Sequence, residues 1–163
     1  MKKSIITLVF TAFVVLAFAQ KQLPDINLKT LEGKPINAKQ LAQKGKITVI
    51  SFWATWCAPC QKELTAIVPK YEGWQKNYNT EMIAITIDNA QGLPKVKPMV
   101  AQKRWKYIIV SDVNSQLLAQ LGGQNVPYTV VVDQKGHIVY SHNGYKDGDE
   151  VELEKKLAEL SAK

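Results

Sequence analysis

The stretch Ile47-Thr-Val-Ile-Ser-Phe-Trp53 constrains this chain more than any other. It is apolar at nearly every position and rich in β-branched and aromatic residues. Such a run suits a strand buried on both faces, in a sheet covered by helices on each side. It leads within a few residues into Cys57-Ala58-Pro59-Cys60. Beyond that, Leu64, Ile67, Val68, Tyr71, Trp74 and Tyr78 recur every three to four residues. That spacing predicts one apolar face of a long helix starting near Pro59, with a kink at Pro69, which lacks the N–H for the Thr65 carbonyl. Both cysteines therefore lie at the carboxyl end of a buried strand, where sites of open α/β sheets tend to form.

The rest of the chain extends the pattern. Ile26–Leu28 and Pro35–Asn37 flank Glu32-Gly33 and read as a short hairpin with a glycine turn. Met82–Ile87 reads as a second buried strand ended by Asp88-Asn89. Leu93–Arg104 reads as a weaker helix broken near Pro98, and Tyr107–Val110 as a third strand. Ser115–Leu121 is a short helix closed by Gly122-Gly123. Tyr128–Val132 and Ile138–Ser141 are strands joined by the Asp133–Gly136 turn. Asp147–Ala162 is a closing helix with Leu153, Leu157 and Leu160 on one face. The alternation of strands and helices, followed by a hairpin and a last helix, predicts an α/β fold of three layers.

Residues 1–19 have the form of an export signal. Lys2 and Lys3 precede a 14-residue apolar run from Ile5 to Phe18, and Ala17-Phe18-Ala19 supplies small residues for cleavage before Gln20. The run is shorter than the roughly 20 residues that span a bilayer. The expectation is a cleavable signal peptide and a periplasmic protein, with an uncleaved N-terminal anchor as the alternative. Residues 20–163 are then one domain with its core over about 46–163. Those 144 residues are enough to bury a core without disulfide staples. The net charge of +7 falls to +5 without Lys2 and Lys3, too little and too scattered to argue nucleic-acid binding. Lys95, Lys97, Lys103, Arg104 and Lys106 read as a solvated face.

Cys57 and Cys60 are the only two cysteines, which excludes a disulfide-stapled miniprotein and a four-cysteine zinc site. Residue 61 is Gln, so a c-type haem attachment, which needs His there, is also excluded. At a helix N-terminus, unpaired N–H groups and the helix dipole stabilise a thiolate at Cys57, the nucleophile of disulfide exchange. Cys60, about one turn on, is placed to close on Cys57 and release a mixed disulfide. Pro59 fits the first turn, where a missing N–H costs little. Glu63 follows Cys60 at i+3, so the two share a helix face, and a carboxylate there is placed to accept or return a thiol proton.

The segment Ser51-Phe-Trp-Ala-Thr-Trp-Cys57-Ala-Pro-Cys60 resembles the active-site strand and helix of the thioredoxin superfamily. Together with the signal, the N-terminal hairpin and Glu63, it most resembles the exported TlpA/ResA-like thiol–disulfide oxidoreductases. The resemblance runs from about Leu23 to the last helix. It implies a thioredoxin-like three-layer sandwich, with a central mixed sheet flanked by helices and an N-terminal β-hairpin extension. It implies that Pro127 is the family's cis-proline, that the backbone of Val126 pairs with an extended substrate, and that Trp56 belongs to the contact surface. It also implies that an acid at Glu63 assists proton movement. Ser51 departs from cytoplasmic thioredoxins, which carry a buried aspartate there; serine cannot take that proton, so the acid role passes to Glu63. No cofactor is implied. The implied partners are disulfide-containing exported proteins, apocytochrome c among them, and a membrane thiol reductant as electron donor.

Two rival functions use the same residues. A Cu(I) chaperone would bind through both thiolates, but copper-handling relatives have a wider cysteine spacing and a histidine ligand, and no motif places His137 or His142 for that role. A peroxiredoxin-like peroxidase would need Thr-x-x-Cys with a supporting arginine. Thr55 stands two residues before Cys57, and Arg104 is the sole arginine.

Overall fold

The computed structural model describes residues 21–42 and 45–162. The expected signal peptide lies outside the described residues. Among those described, no helix is long and apolar enough to cross a membrane.

The strands are β1 (Asn27–Thr30), β2 (Pro35–Asn37), β3 (Ile47–Trp53), β4 (Thr80–Thr86), β5 (Ile108–Ser111), β6 (Tyr128–Val132) and β7 (Ile138–Asn143). The helices are α1 (Ala58–Tyr78), α2 (Leu93–Lys103), α3 (Gln116–Leu121) and α4 (Asp149–Ser161), with a 3-10 turn at Ala38–Gln40. The strands form one mixed sheet in the order β2-β1-β5-β4-β3-β6-β7. β3, β4 and β5 are parallel, and β6 joins β3 antiparallel. The expected hairpin forms between β1 and β2 and extends the sheet through an antiparallel pairing of β1 with β5.

All seven residues of β3 are buried, as a central strand with helices on both sides requires. The period of two divides them. Ile47, Val49 and Trp53 enter one core with the buried face of α1, Val96 of α2, and Leu153, Leu157 and Leu160 of α4. Ile50 and Phe52 enter a second core with Leu117, Leu118 and Leu121 of α3, and Leu23, Ile26 and Leu41 of the N-terminal segment. The two cores and the sheet between them make the three layers.

Several boundaries differ from the sequence reading. α2 is continuous through Pro98 rather than broken there. Pro98 removes one backbone bond, and its ring lies on the exposed side while Val96 is buried, so solvent serves the freed carbonyl. α1 runs through Pro69, as the helical spacing predicts, and ends at Asn79, left-handed at φ 49°, whose N–H donates to the Trp74 carbonyl. β4 begins at Thr80, two residues early, and β5 starts one residue later than expected. β7 continues two residues past Ser141 and so includes His142.

Candidate active site

Cys57 is the residue that caps the N-terminus of α1, with extended backbone angles, and Pro59 lies in the first turn. The Cys60 N–H donates to Cys57 Sγ at 3.3 Å, the kind of contact by which a helix N-terminus stabilises a sulfur anion. The two cysteines form a disulfide with their Cα atoms 5.3 Å apart. Cys57 is nearly buried and Cys60 wholly so, both within the core under α1. Trp56, beside them in sequence, is 70% exposed, whereas Trp53 is fully buried and packs edge-on against Trp105.

The loop between β3 and α1 is tied to the end of β4. Asp88 accepts from the Thr55 N–H at 2.8 Å, from the Thr55 hydroxyl at 2.7 Å and from the Thr86 hydroxyl at 2.6 Å. The Gln61 side-chain amide donates to the Thr55 carbonyl at 2.9 Å. Asp88, read from sequence only as the end of a strand, thus fixes the approach to Cys57. Its partners are remote in sequence, and no local pattern announces it.

Glu63 is buried on the inward face of α1 together with Cys60. Its Oε2 accepts from the Ser51 hydroxyl at 2.9 Å, and its Oε1 accepts from the Thr129 hydroxyl at 2.6 Å. Ser51 and Thr129 are direct partners in the β3–β6 ladder, so the sheet presents two hydroxyls side by side to one carboxyl group. Burial pushes the Glu63 pKa up, and the two hydroxyl bonds offset only part of that. A carboxyl raised in this way moves toward the range of a thiol, where a proton passes between the two at little cost. Thr129 was not singled out from sequence. The available signal was a hydroxyl at an inward position of two otherwise apolar strands, Ser51 in one and Thr129 in the other.

Pro127 is buried and immediately precedes β6, next to the Phe52–Tyr128 pair at the carboxyl end of β3. The Val126–Pro127 bond is cis, and Val126 is half-buried against the core that holds both cysteines.

The residues of the rival chemistries are engaged elsewhere. The Thr55 hydroxyl is held by Asp88, and Arg104 ends α2, bordering a cleft with Tyr71, Glu72, Gln75 and Tyr107. His142 Nε2 lies 3.2 Å from Asp149 Oδ2 and His137 Nδ1 3.5 Å from Asp133. Among the described residues no group of three His, Cys, Asp or Glu side chains is arranged to hold a metal ion.

Residues 19–141 match the AhpC/TSA family. The thiol-disulfide oxidoreductase ResA of Bacillus thuringiensis (strain Al Hakam) is 31% identical over 135 residues, covering 81% of this chain and 73% of that protein. A thioredoxin-like protein of Porphyromonas gingivalis, solved in solution, superimposes with a TM-score of 0.77 at 40% identity, over 86% of this chain and 92% of that one. A putative thiol:disulfide interchange protein DsbE from Chlorobium tepidum shares the fold, with a TM-score of 0.74 at 20% identity, over 87% and 96% of the two chains. With a cysteine pair at the head of α1 and this kinship on record, the chain belongs to the AhpC/TSA family and is a thioredoxin-fold thiol–disulfide oxidoreductase of the ResA kind.

Proposed function

We propose that this oxidoreductase works in the reducing direction, on disulfides of exported proteins, with Cys57 as nucleophile, Cys60 as resolving thiol and Glu63 as proton acceptor. The Cys57 thiolate attacks a substrate disulfide, forming a mixed disulfide and releasing one substrate thiolate. Cys60–SH passes its proton to the Glu63 carboxylate. The Cys60 thiolate attacks Cys57 Sγ, the second substrate thiolate leaves, and the Cys57–Cys60 disulfide remains. A membrane dithiol donor returns two electrons, which re-form the Cys57 thiolate and, with one proton, the Cys60 thiol; Glu63 gives up the proton it took, and the starting state is restored. Trp56, Val126 and Pro127 form the substrate-docking surface. The mature domain begins at Gln20, after a cleaved signal, in the periplasm, and apocytochrome c is one substrate class of the resemblance.

The observation that carries this reading is the complete burial of Cys60 in an apolar core, one helical turn from the buried Glu63 on the same face of α1. Strongly oxidising couples owe their potential to a stabilised reduced form. Burial raises a thiol's pKa and works against that stabilisation, so this site favours a reducing couple. The Ala58-Pro59 pair between the cysteines also resembles the reducing members. The equilibrium reduction potential, measured by thiol trapping in defined redox buffers, tests the direction. The expected value is at or below about −230 mV; a value near about −120 mV would make the protein a disulfide donor.

A further inference from the structure

Glu63 is only 4% exposed, so a proton it takes from Cys60 has to leave through the protein. A narrow cavity adjoins it, lined by Glu63, Thr129, Tyr140, His142, Asp149 and Leu153 among others. The volume open to water centres is about 10 Å³, room for roughly one water molecule. His142 borders this cavity with its side chain 39% exposed, and so touches both the interior space and solvent.

The fold holds that imidazole in place. Thr129, whose hydroxyl bonds Glu63, pairs directly with His142 across the β6–β7 ladder, and paired residues point to the same face. The His142 ring stacks on Tyr140 at 6.4 Å with 5° between planes. Its Nε2 lies 3.2 Å from Asp149 Oδ2, which also accepts the Lys146 N–H at 2.7 Å. With Nε2–H donating to the carboxylate, the other ring nitrogen keeps a lone pair that can take a proton. The groups facing Glu63 are the Ser51 hydroxyl from β3, the Thr129 hydroxyl from β6, Tyr140 and His142 from β7, and Asp149 and Glu150 from α4. The phenols of Tyr107 and Tyr145 stand further off, bonded to the Leu64 carbonyl and to Glu150. The Lys70 ammonium is engaged with Glu154. Asp149 and Glu150 also line the cavity and reach solvent, but their carboxylates are taken up by His142, the Lys146 N–H, the Tyr145 hydroxyl and the Gly148 N–H; His142 is the one imidazole of the lining, with a ring nitrogen left over to accept and release a proton. His142 and Asp149 also lie past residue 141, where the family match ends.

We propose that His142, oriented by Asp149, carries protons between Glu63 and solvent through one water in this cavity. The proposal rests on the reading of Glu63 as proton acceptor. The protonated Glu63 gives its proton to the water, the water gives one to the free imidazole nitrogen, and the imidazolium gives one to a buffer base. Glu63 is thereby emptied to carboxylate before Cys60 hands over its proton, so resolution waits on the relay; His142 returns to neutral imidazole, and no electrons move.

The test uses the whole mature chain, reduced and mixed with dipyridyl disulfide. One chromophore leaves as Cys57 attacks and a second as Cys60 resolves the mixed disulfide, so the second phase reports Cys60. In weak buffer, His142→Ala is expected to slow that phase about tenfold, and added imidazole to restore it, while the native protein ignores imidazole. His142→Gln retains an N–H for Asp149, so its melting temperature stays near native while the second phase slows as in the alanine variant. It serves alone if the alanine variant fails to fold. A native rate in the His142 variants, or a slowing that imidazole does not restore, overturns the relay. Glu63→Gln separates the two claims. If it leaves the second phase unchanged, the Glu63 reading fails first; if it slows that phase while the His142 variants are normal, only the relay fails.

Discussion

On one face of the sheet, α3, the 3-10 turn and the N-terminal segment close over Ile50, Phe52, Ile83, Ile85, Val130 and Val132. On the other face, α1, α2 and α4 cover Ile47, Val49, Trp53, Met82, Ala84 and Val131. The same strands serve both faces through alternating residues, and each takes in a carboxyl group: Asp112 caps α3 on the first, while on the second Glu63 is held by two strand hydroxyls and shares a helix face with Cys60. That face also leaves the indole N–H groups of Trp53, Trp74 and Trp105 buried without a hydrogen-bond partner. Burying a carboxyl group costs free energy that an apolar side chain would not. The first face shows how this chain packs when only stability is at stake. On the proposed mechanism the second shows where stability yields to chemistry, since proton exchange with a buried thiol needs an acid in the same interior.

Substitutions on the two faces should separate these roles. The largest effect is on the redox face: Cys57→Ser should lose all exchange activity, and Cys60→Ser should trap mixed disulfides visible by mass spectrometry. Retained turnover in Cys57→Ser would break the mechanism. On the quiet face, Leu117→Ala should cost about 2–5 kcal/mol in denaturant unfolding, with exchange at room temperature unchanged. A matching loss of activity would show that the faces are not independent. Glu63→Gln should do the reverse, slowing resolution by Cys60 about a hundredfold. Its stability effect has a definite sign. The folded-state pKa of Glu63 is raised by burial, so its contribution is fully present below the ordinary glutamate range and is lost as pH rises through the raised value. Glu63→Gln should remove that loss, so its melting temperature should gain on the native protein as pH increases. The smallest effect belongs to the exposed link between helices. Lys70 and Glu154 join α1 to α4 at 2.7 Å while each remains about a third exposed, and Lys70→Ala should cost no more than about 1 kcal/mol.

The architecture was legible because its signals are local. The apolar run of β3, the helical period after Cys60 and the glycine turns each occupy one short stretch. The cysteine pair was legible for the same reason, as was the shared face of Cys60 and Glu63. Features that depend on two distant elements were not. Ser51 read as a lost aspartate, whereas in the fold its hydroxyl serves Glu63 from another element. Asp112 caps α3 through the N–H groups of Gln116, Leu117 and Leu118, although Ser115 sits at the capping position. The Asp88 clamp on Thr55 joins two strand ends, and His142 stood beyond the expected end of its strand. Pro98 misled because a proline in a helix interior is a local signal, while burial of Val96 on the opposite side is not.

The central claim is that a buried carboxyl at Glu63 exchanges a proton with the cysteine pair. It is tested most directly by following the ¹³C resonance of the Glu63 side-chain carboxyl through a pH titration of the oxidised and the reduced protein. The account predicts a midpoint above the ordinary glutamate range that moves when Cys57 and Cys60 change redox state. A midpoint in the ordinary range, or one that ignores the redox state, would contradict it.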